Sequence, residues 1–305
     1  MVGPGPRSTI SCGCRRLRCR DAVVTPRGPT VRVPASTANL GAGFDVFGLA
    51  VSLHADLGPG DPPDGTQRLD RHHPASIAYA ELGGDGPIWM RTSVPMGRGL
   101  GFSGVARVGG AALAVATAGD DPERAVHDRS GEILRVAAHL EGHGDNVSAS
   151  LYGGATAWID GRVVRLDIGP HLQAATLVVW IPTATTSTDR SRATLAPLVD
   201  RPDVVHNIGR AVQFALAVER DDPSLLAGAT SDRIHQTDRL AVVPGAAAAL
   251  EAGQEAGAWC GWLSGSGPTV AFLCPSDAAA SVEWAMPSDG HTKLLRIDTH
   301  GTHVV

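Results

Sequence analysis

Residues 95–106 read Pro-Met-Gly-Arg-Gly-Leu-Gly-Phe-Ser-Gly-Val-Ala, a combination of types and spacings suited to holding an anion. Gly97, Gly99 and Gly101 let the backbone turn tightly and come close to a ligand without Cβ clashes. The helix expected to follow points its unpaired N–H groups and its positive dipole end into the loop, where phosphate is the usual guest. The chain's only lysine is Lys293, so main-chain N–H groups, Arg98 and a metal ion would have to neutralise a phosphate here. Read alone, the loop is equally a tight turn ahead of a core helix.

Three further stretches carry chemically capable side chains. Residues 34–45 run Pro-Ala-Ser-Thr-Ala-Asn-Leu-Gly-Ala-Gly-Phe-Asp, a polar turn that includes Asn39 and closes on Asp45. Residues 141–147 run Glu-Gly-His-Gly-Asp-Asn-Val, and residues 263–268 run Leu-Ser-Gly-Ser-Gly-Pro. Turns favour Asn, Asp and Gly for local reasons, so none of the three is decisive by itself.

The elements that must position these groups follow from hydrophobic patterning. A strand is expected over 30–33 and another over 46–54, then a Pro/Gly/Asp-rich surface loop over 58–70 and a helix over 73–82. A β-like run over 88–94 leads into the glycine loop and its helix, and a second helix spans 132–140. Strands follow at 155–159 and 163–166, and 175–181 has the unbroken apolar character of a buried central strand. Hydroxyls at 185–188 can cap a helix carrying Arg192. Helices are expected over 204–219, 224–234, 245–255 and 277–285, with strands at 259–263, 269–273 and 293–298. This irregular alternation points to α+β layers rather than a doubly wound parallel sheet.

The chain has 305 residues, 43% of them hydrophobic, and a net charge of −5, enough for one large core or two smaller ones. The mild acidity argues against nucleic acid as a main partner, and no apolar run reaches the ~20 residues of a membrane span. Residues 1–28 interleave Cys12, Cys14 and Cys19 with arginines and lack the apolar centre of a secretory signal, so a disordered extension is expected. Cys260 and Cys274 lie in apolar runs and read as reduced core residues of a cytoplasmic protein.

The motifs of residues 34–45, 97–103 and 263–270, in this order and together with 141–147, resemble those of the GHMP small-molecule kinases, most closely the homoserine kinase branch. The resemblance covers roughly residues 30–305. It implies a two-domain α+β architecture, with an N-terminal α/β nucleotide-binding domain over 29–170 and a C-terminal ferredoxin-like domain over 171–305 completing the substrate site. It implies ATP-dependent phosphorylation of the side-chain hydroxyl of L-homoserine, a step of threonine biosynthesis, with ATP and Mg²⁺ as cofactors, and leaves a homodimer open. Pro95, Gly97, Arg98, Gly99, Leu100, Gly101, Ser103 and Gly104 would hold the nucleotide, and Ser103 with Glu141 the metal. In the homoserine kinase branch two arginines grip the substrate carboxylate, one four residues after a threonine and one four after a histidine. Thr188 to Arg192 and His235 to Arg239 reproduce both spacings. Asn39, Asp45, His143, Asp145, Asn146, Gly265 and Ser266 would surround the rest of the substrate, Asp45 taking the ammonium and Asn146 orienting the hydroxyl, with Asn146, Asp45 and Arg192 the catalytic set.

Two departures from the family stand out. Phe102 occupies a position that is usually serine, and the segment between His54 and Gly86, which helps hold the nucleoside elsewhere, is short. They leave open a kinase for another hydroxy amino acid, or a homologue that binds a metabolite or nucleotide without turnover.

Overall fold

The computed structural model describes residues 1–3, 5, 28–64, 66–184 and 188–305, with only the backbone at 188–190. The expectation for residues 1–28 therefore falls almost wholly outside the described residues. Along the chain, β1 (Val31–Ala38) and β2 (Phe47–Pro59) precede α1 (Pro74–Glu81), β3 (Ile88–Thr92) and α2 (Phe102–Ala118). Next come α3 (Pro122–Asp128), α4 (Ser130–Glu141), α5 (Asp145–Tyr152), β4 (Ala155–Ile159), β5 (Arg162–Leu166) and α6 (Pro170–Gln173). The remainder is β6 (Thr176–Pro182), α7 (Thr188–Ala193), α8 (Arg201–Glu219), a 3₁₀ turn (Pro223–Leu226), α9 (Gln236–Ala241), α10 (Ala246–Glu255), β7 (Cys260–Leu263), β8 (Val270–Cys274), α11 (Ala279–Trp284), β9 (Gly290–Leu295) and β10 (His303–Val304).

Two antiparallel sheets organise these elements. The first has the order β10-β1-β2-β4-β5, with β3 also paired to β2, so the chain's last strand returns to its first. The second has the order β7-β8-β6-β9, which in chain order is the βαββαβ arrangement of a ferredoxin-like layer. β6 is buried along its whole length between β8 and β9, as its apolar run implies. Cys260 and Cys274 are free and buried in this sheet, and burial pushes their thiols up to about 12 and about 11. No described helix is long and apolar enough to cross a membrane.

Small residues set the separation of the layers. α2 is buried along most of its length because its glycines and alanines leave room for neighbours on every side. A Cβ at Gly110 would lie 2.0 Å from the Ala75 carbonyl of α1. One at Gly48 of β2 would lie 2.1 Å from the Asp145 carbonyl, so β2 and the start of α5 touch backbone to backbone. That contact places Asp145 and Asn146 beside the glycine loop.

The structure corrects several sequence boundaries. β1 continues through Pro34 to Ala38, because the register shifts between Pro34 and Ala35 and a proline is tolerated at such an irregularity. The polar turn therefore begins only at Asn39, and β2 runs on through Gly58 into the expected loop. Helix 224–234 is not formed. The chain makes a 3₁₀ turn, passes through Gly228 at φ 71°, and restarts as α9, whose first amides are capped by Asp232. The final expected strand lies earlier, at Gly290–Leu295, and α3 and α5 were not expected at all.

Replacing a mid-helix glycine by alanine ordinarily favours the helix by about 1 kcal/mol. At Gly110 the clash with the Ala75 carbonyl reverses the sign, and we expect Gly110→Ala to lose about 2 kcal/mol. A lower urea midpoint with an unchanged slope in equilibrium unfolding would show this, and an unchanged midpoint would refute it.

Candidate active site

The three motifs interlock through buried polar contacts. Thr37 Oγ1 accepts from Trp262 Nε1 at 2.8 Å and lies 2.7 Å from Ser264 Oγ, which lies 2.6 Å from the Gly99 carbonyl. With one proton on each hydroxyl, the chain satisfying all these groups runs from the Trp262 N–H through Thr37 and Ser264 to Gly99. Asn39 Nδ2 donates to the Gly265 carbonyl at 2.9 Å, and the Gly265 N–H donates to Ala38 O. The turn after β1 is wound unusually: Asn39, Leu40 and Gly41 have φ of 70°, 44° and 76°. A leucine there is strained, and its burial in the core holds it in place.

These contacts leave a cleft of about 210 Å³ between the sheets. At one end, the glycine loop turns into α2 through Gly101 at φ 70°. A Cβ there would lie 2.5 Å from Ser36 Oγ and 2.9 Å from Asn146 Oδ1, so glycine is required. Ser36 Oγ donates to the carbonyl and side-chain oxygens of Asn146, which leaves the Asn146 NH₂ as its donor. In the first turn of α2, Ser103 Oγ donates to Glu141 Oε2 at 2.7 Å. Arg107 donates to the same carboxylate oxygen and to the Leu140 carbonyl at the end of α4.

At the other end, the Arg192 guanidinium grips Asp45 with two hydrogen bonds, 3.0 and 2.7 Å. Arg239 is 2% exposed, and its Nε has no hydrogen-bond partner among the described residues. Its Nη1 lies 3.2 Å from His235 Nδ1, while His235 Nε2 lies 2.9 Å from the Gly41 carbonyl. Since a guanidinium only donates and a carbonyl only accepts, His235 is the neutral tautomer protonated at Nε2. His235 precedes α9 and Arg239 sits one turn later, so the i,i+4 spacing stacks them on one face. The Phe44 ring stacks on His235 and lies 5.7 Å from the Arg192 guanidinium carbon and 5.1 Å from that of Arg239, holding both in cation–π contact.

The environment shifts three of these groups. Burial disfavours the His143 imidazolium, but the hydrogen bond and charge of Asp145, with help from Glu141, outweigh both burial and Arg192 and raise its pKa. Burial lowers His235, and Arg239 opposes its protonation further. Burial, then the like charge of Arg192, lower Arg239 against the pull of Asp45. An anion placed there would relieve both effects.

Most of the expected site residues border this cleft, the two arginines included. Leu100 is wholly buried in the core, and neither it nor Pro95 or Gly104 lines the cleft. These three shape the loop from behind. The Thr188 side chain lies outside the described residues, though Thr188 does begin α7. Arg98 borders the cleft with its Nη1 donating to the Pro182 and Ala184 carbonyls, so it ties the loop to the end of β6. Sequence reasoning missed Ser36, Phe44 and Arg107. Ser36 and Phe44 lay inside a motif already singled out, and Arg107 follows Ser103 by one helical turn.

Comparison with known proteins identifies the family. Residues 71–154 match the GHMP kinases N terminal domain and residues 214–291 the GHMP kinases C terminal family. The chain is 38% identical to the homoserine kinase of Moorella thermoacetica over 268 residues, covering 81% of this chain and 87% of that protein. It is 37% identical to the homoserine kinase of Deinococcus radiodurans over 273 residues, covering 83% and 85%. The crystal structure of homoserine kinase from Cytophaga hutchinsonii superposes with a TM-score of 0.78 at 25% identity, covering 91% of this chain and 97% of that one.

The tautomer of His235 sets a pH dependence. An unfolded histidine titrates near pH 6.5. With the native value held lower, acidification below that point protonates the unfolded chain first, so the stability due to His235 is complete above it and declines as pH falls towards the native value. We expect thermal unfolding of His235→Gln to depend less on pH than wild type in this window. Parallel curves for the two proteins would refute it.

Proposed function

The chain belongs to the GHMP kinase family, and we propose on that premise that it transfers the γ-phosphoryl group of ATP to the side-chain hydroxyl of L-homoserine. The observation that carries the acceptor assignment is Arg239, a nearly fully buried guanidinium bordering the cleft with an unpartnered Nε. A buried charged donor without a partner is costly, and a carboxylate oxygen supplies the missing acceptor. Arg192 and Asp45 support the same reading. They neutralise each other at that end of the cleft, and an α-amino acid brings one charge of each sign, so its carboxylate and ammonium can pair with Arg192 and Asp45 without changing the net charge there.

The phosphate end fits the donor side of the reaction. The glycine loop and the start of α2 offer main-chain N–H groups to the phosphates. Ser103 and Glu141 present a hydroxyl and a carboxylate oxygen side by side, a hard oxygen set suited to Mg²⁺. When bound, that ion would screen the charge of the phosphates. Arg107 donates to the same Glu141 oxygen as Ser103 and so fixes the carboxylate.

Asn146, fixed by Ser36, aims an amide donor into the cleft between the two ends and orients the attacking hydroxyl. His143, held by Asp145 at 2.7 Å, stands beside it. Phosphoryl transfer through a loose transition state needs little early deprotonation, so positioning and charge neutralisation account for most of the catalysis.

Incubation of the purified protein with ATP, Mg²⁺ and a panel of hydroxy amino acids tests the substrate. O-Phosphohomoserine should form fastest, and absence of phosphorylated product from every member would reject the reading. Arg239→Ala should raise KM for homoserine about 100-fold, equivalent to about 2.7 kcal/mol, with a much smaller change in kcat. An unaltered KM would remove Arg239 from the acceptor site.

A further inference from the structure

The two departures noted in the sequence meet in the fold. Phe102 opens α2 beside the glycine loop, and His73, from the short 55–86 segment, caps α1. Their rings pack edge to face, with centroids 6.1 Å apart and planes at 82°. His73 Nδ1 accepts the Ala75 N–H at 3.2 Å, which commits that nitrogen and leaves Nε2 as the protonated one in the neutral ring. Burial, against the opposing charge of Asp70, keeps the ring neutral by lowering its pKa.

The cleft is otherwise polar. Among the described residues that line it, Met96 and Phe102 carry the only large apolar side chains, and Met96 is 67% exposed. Phe102 is half-buried, with its inner side packed on the core. An exposed methionine and an aromatic ring at the rim of a phosphate-binding loop offer an apolar surface to whatever enters beside the phosphates. A nucleoside triphosphate carries a flat ring system that needs such a surface.

We propose that Phe102, braced by His73 and flanked by Met96, forms the seat for the nucleobase of ATP, so that this position contributes a stacking surface rather than a hydroxyl. The proposal rests on the kinase reading and deepens it. Aromatic faces accept any base, so the seat favours the broad face of a purine and discriminates weakly between adenine and guanine. His73 Nε2–H adds a single donor at its edge.

Calorimetric titration separates the base from the phosphates. ATP and inorganic tripolyphosphate would be titrated into wild type, Phe102→Ala and Phe102→Leu, the last keeping apolar bulk against the core but lacking a flat ring. Both variants should bind ATP about tenfold more weakly, a loss within the range of base–aromatic stacking. Tripolyphosphate affinity should stay within about twofold of wild type, because both substitutions keep the main-chain N–H groups that face the phosphates. Unchanged or tighter ATP binding, or equal weakening for both ligands, would overturn the proposal. Wild-type protein that binds no ATP and phosphorylates no hydroxy amino acid would overturn the kinase reading as well. Wild-type activity with an ATP affinity indifferent to residue 102 would overturn this inference alone.

Discussion

The buried polar run from Trp262 through Thr37 and Ser264 to the Gly99 carbonyl is the constraint on which the rest of the site depends. Its members come from β7, the end of β1, the turn after β7 and the glycine loop, so one chain of hydrogen bonds spans both sheets. Trp262, Thr37 and Ser264 are fully buried and would be costly without their partners, which makes the arrangement close to all-or-none. Asn39 and Gly265 add a second tie across the same seam. The glycine loop and the helices that carry the arginines are thereby held against one cleft.

Electrostatics within that cleft divide by end. At the arginine end, Arg192 and Asp45 compensate each other, while the buried Arg239 has an Nε without a hydrogen-bond partner among the described residues. Phe44 lies between the two guanidinium groups and limits their freedom to swing away. At the glycine-loop end, Glu141 shares one oxygen between Ser103 and Arg107. The carboxylate is oriented before any ligand arrives, which lowers the reorganisation needed on binding.

Phe102 and His73 show how neighbours in space can alter a site together. Residue 102 is at the first turn of α2 and residue 73 precedes α1, yet the glycine-lined packing of α1 on α2 brings their rings into contact. In the chain, only Phe102 stands out, and His73 is merely the start of an expected helix. Together they give an otherwise polar cleft an apolar rim.

Local patterning made much of this protein legible from its sequence. The glycine loop, the polar turn ending at Asp45, the central strand β6 and the mixed α+β class all follow from glycine placement and apolar periodicity. The i,i+4 step from His235 to Arg239 is also local, and α9 realises it. Elsewhere local reading failed for two different reasons: Asp232 caps amides only three and four residues ahead and so starts α9 where a longer helix was expected, whereas α5 is supported by contact with the distant strand β2. Which side chains face one another was decided only by the tertiary structure. Arg107 on Glu141, Ser36 on Asn146 and Phe44 between two arginines are contacts between separate elements, and their distances depend on how closely glycine and alanine surfaces allow those elements to approach.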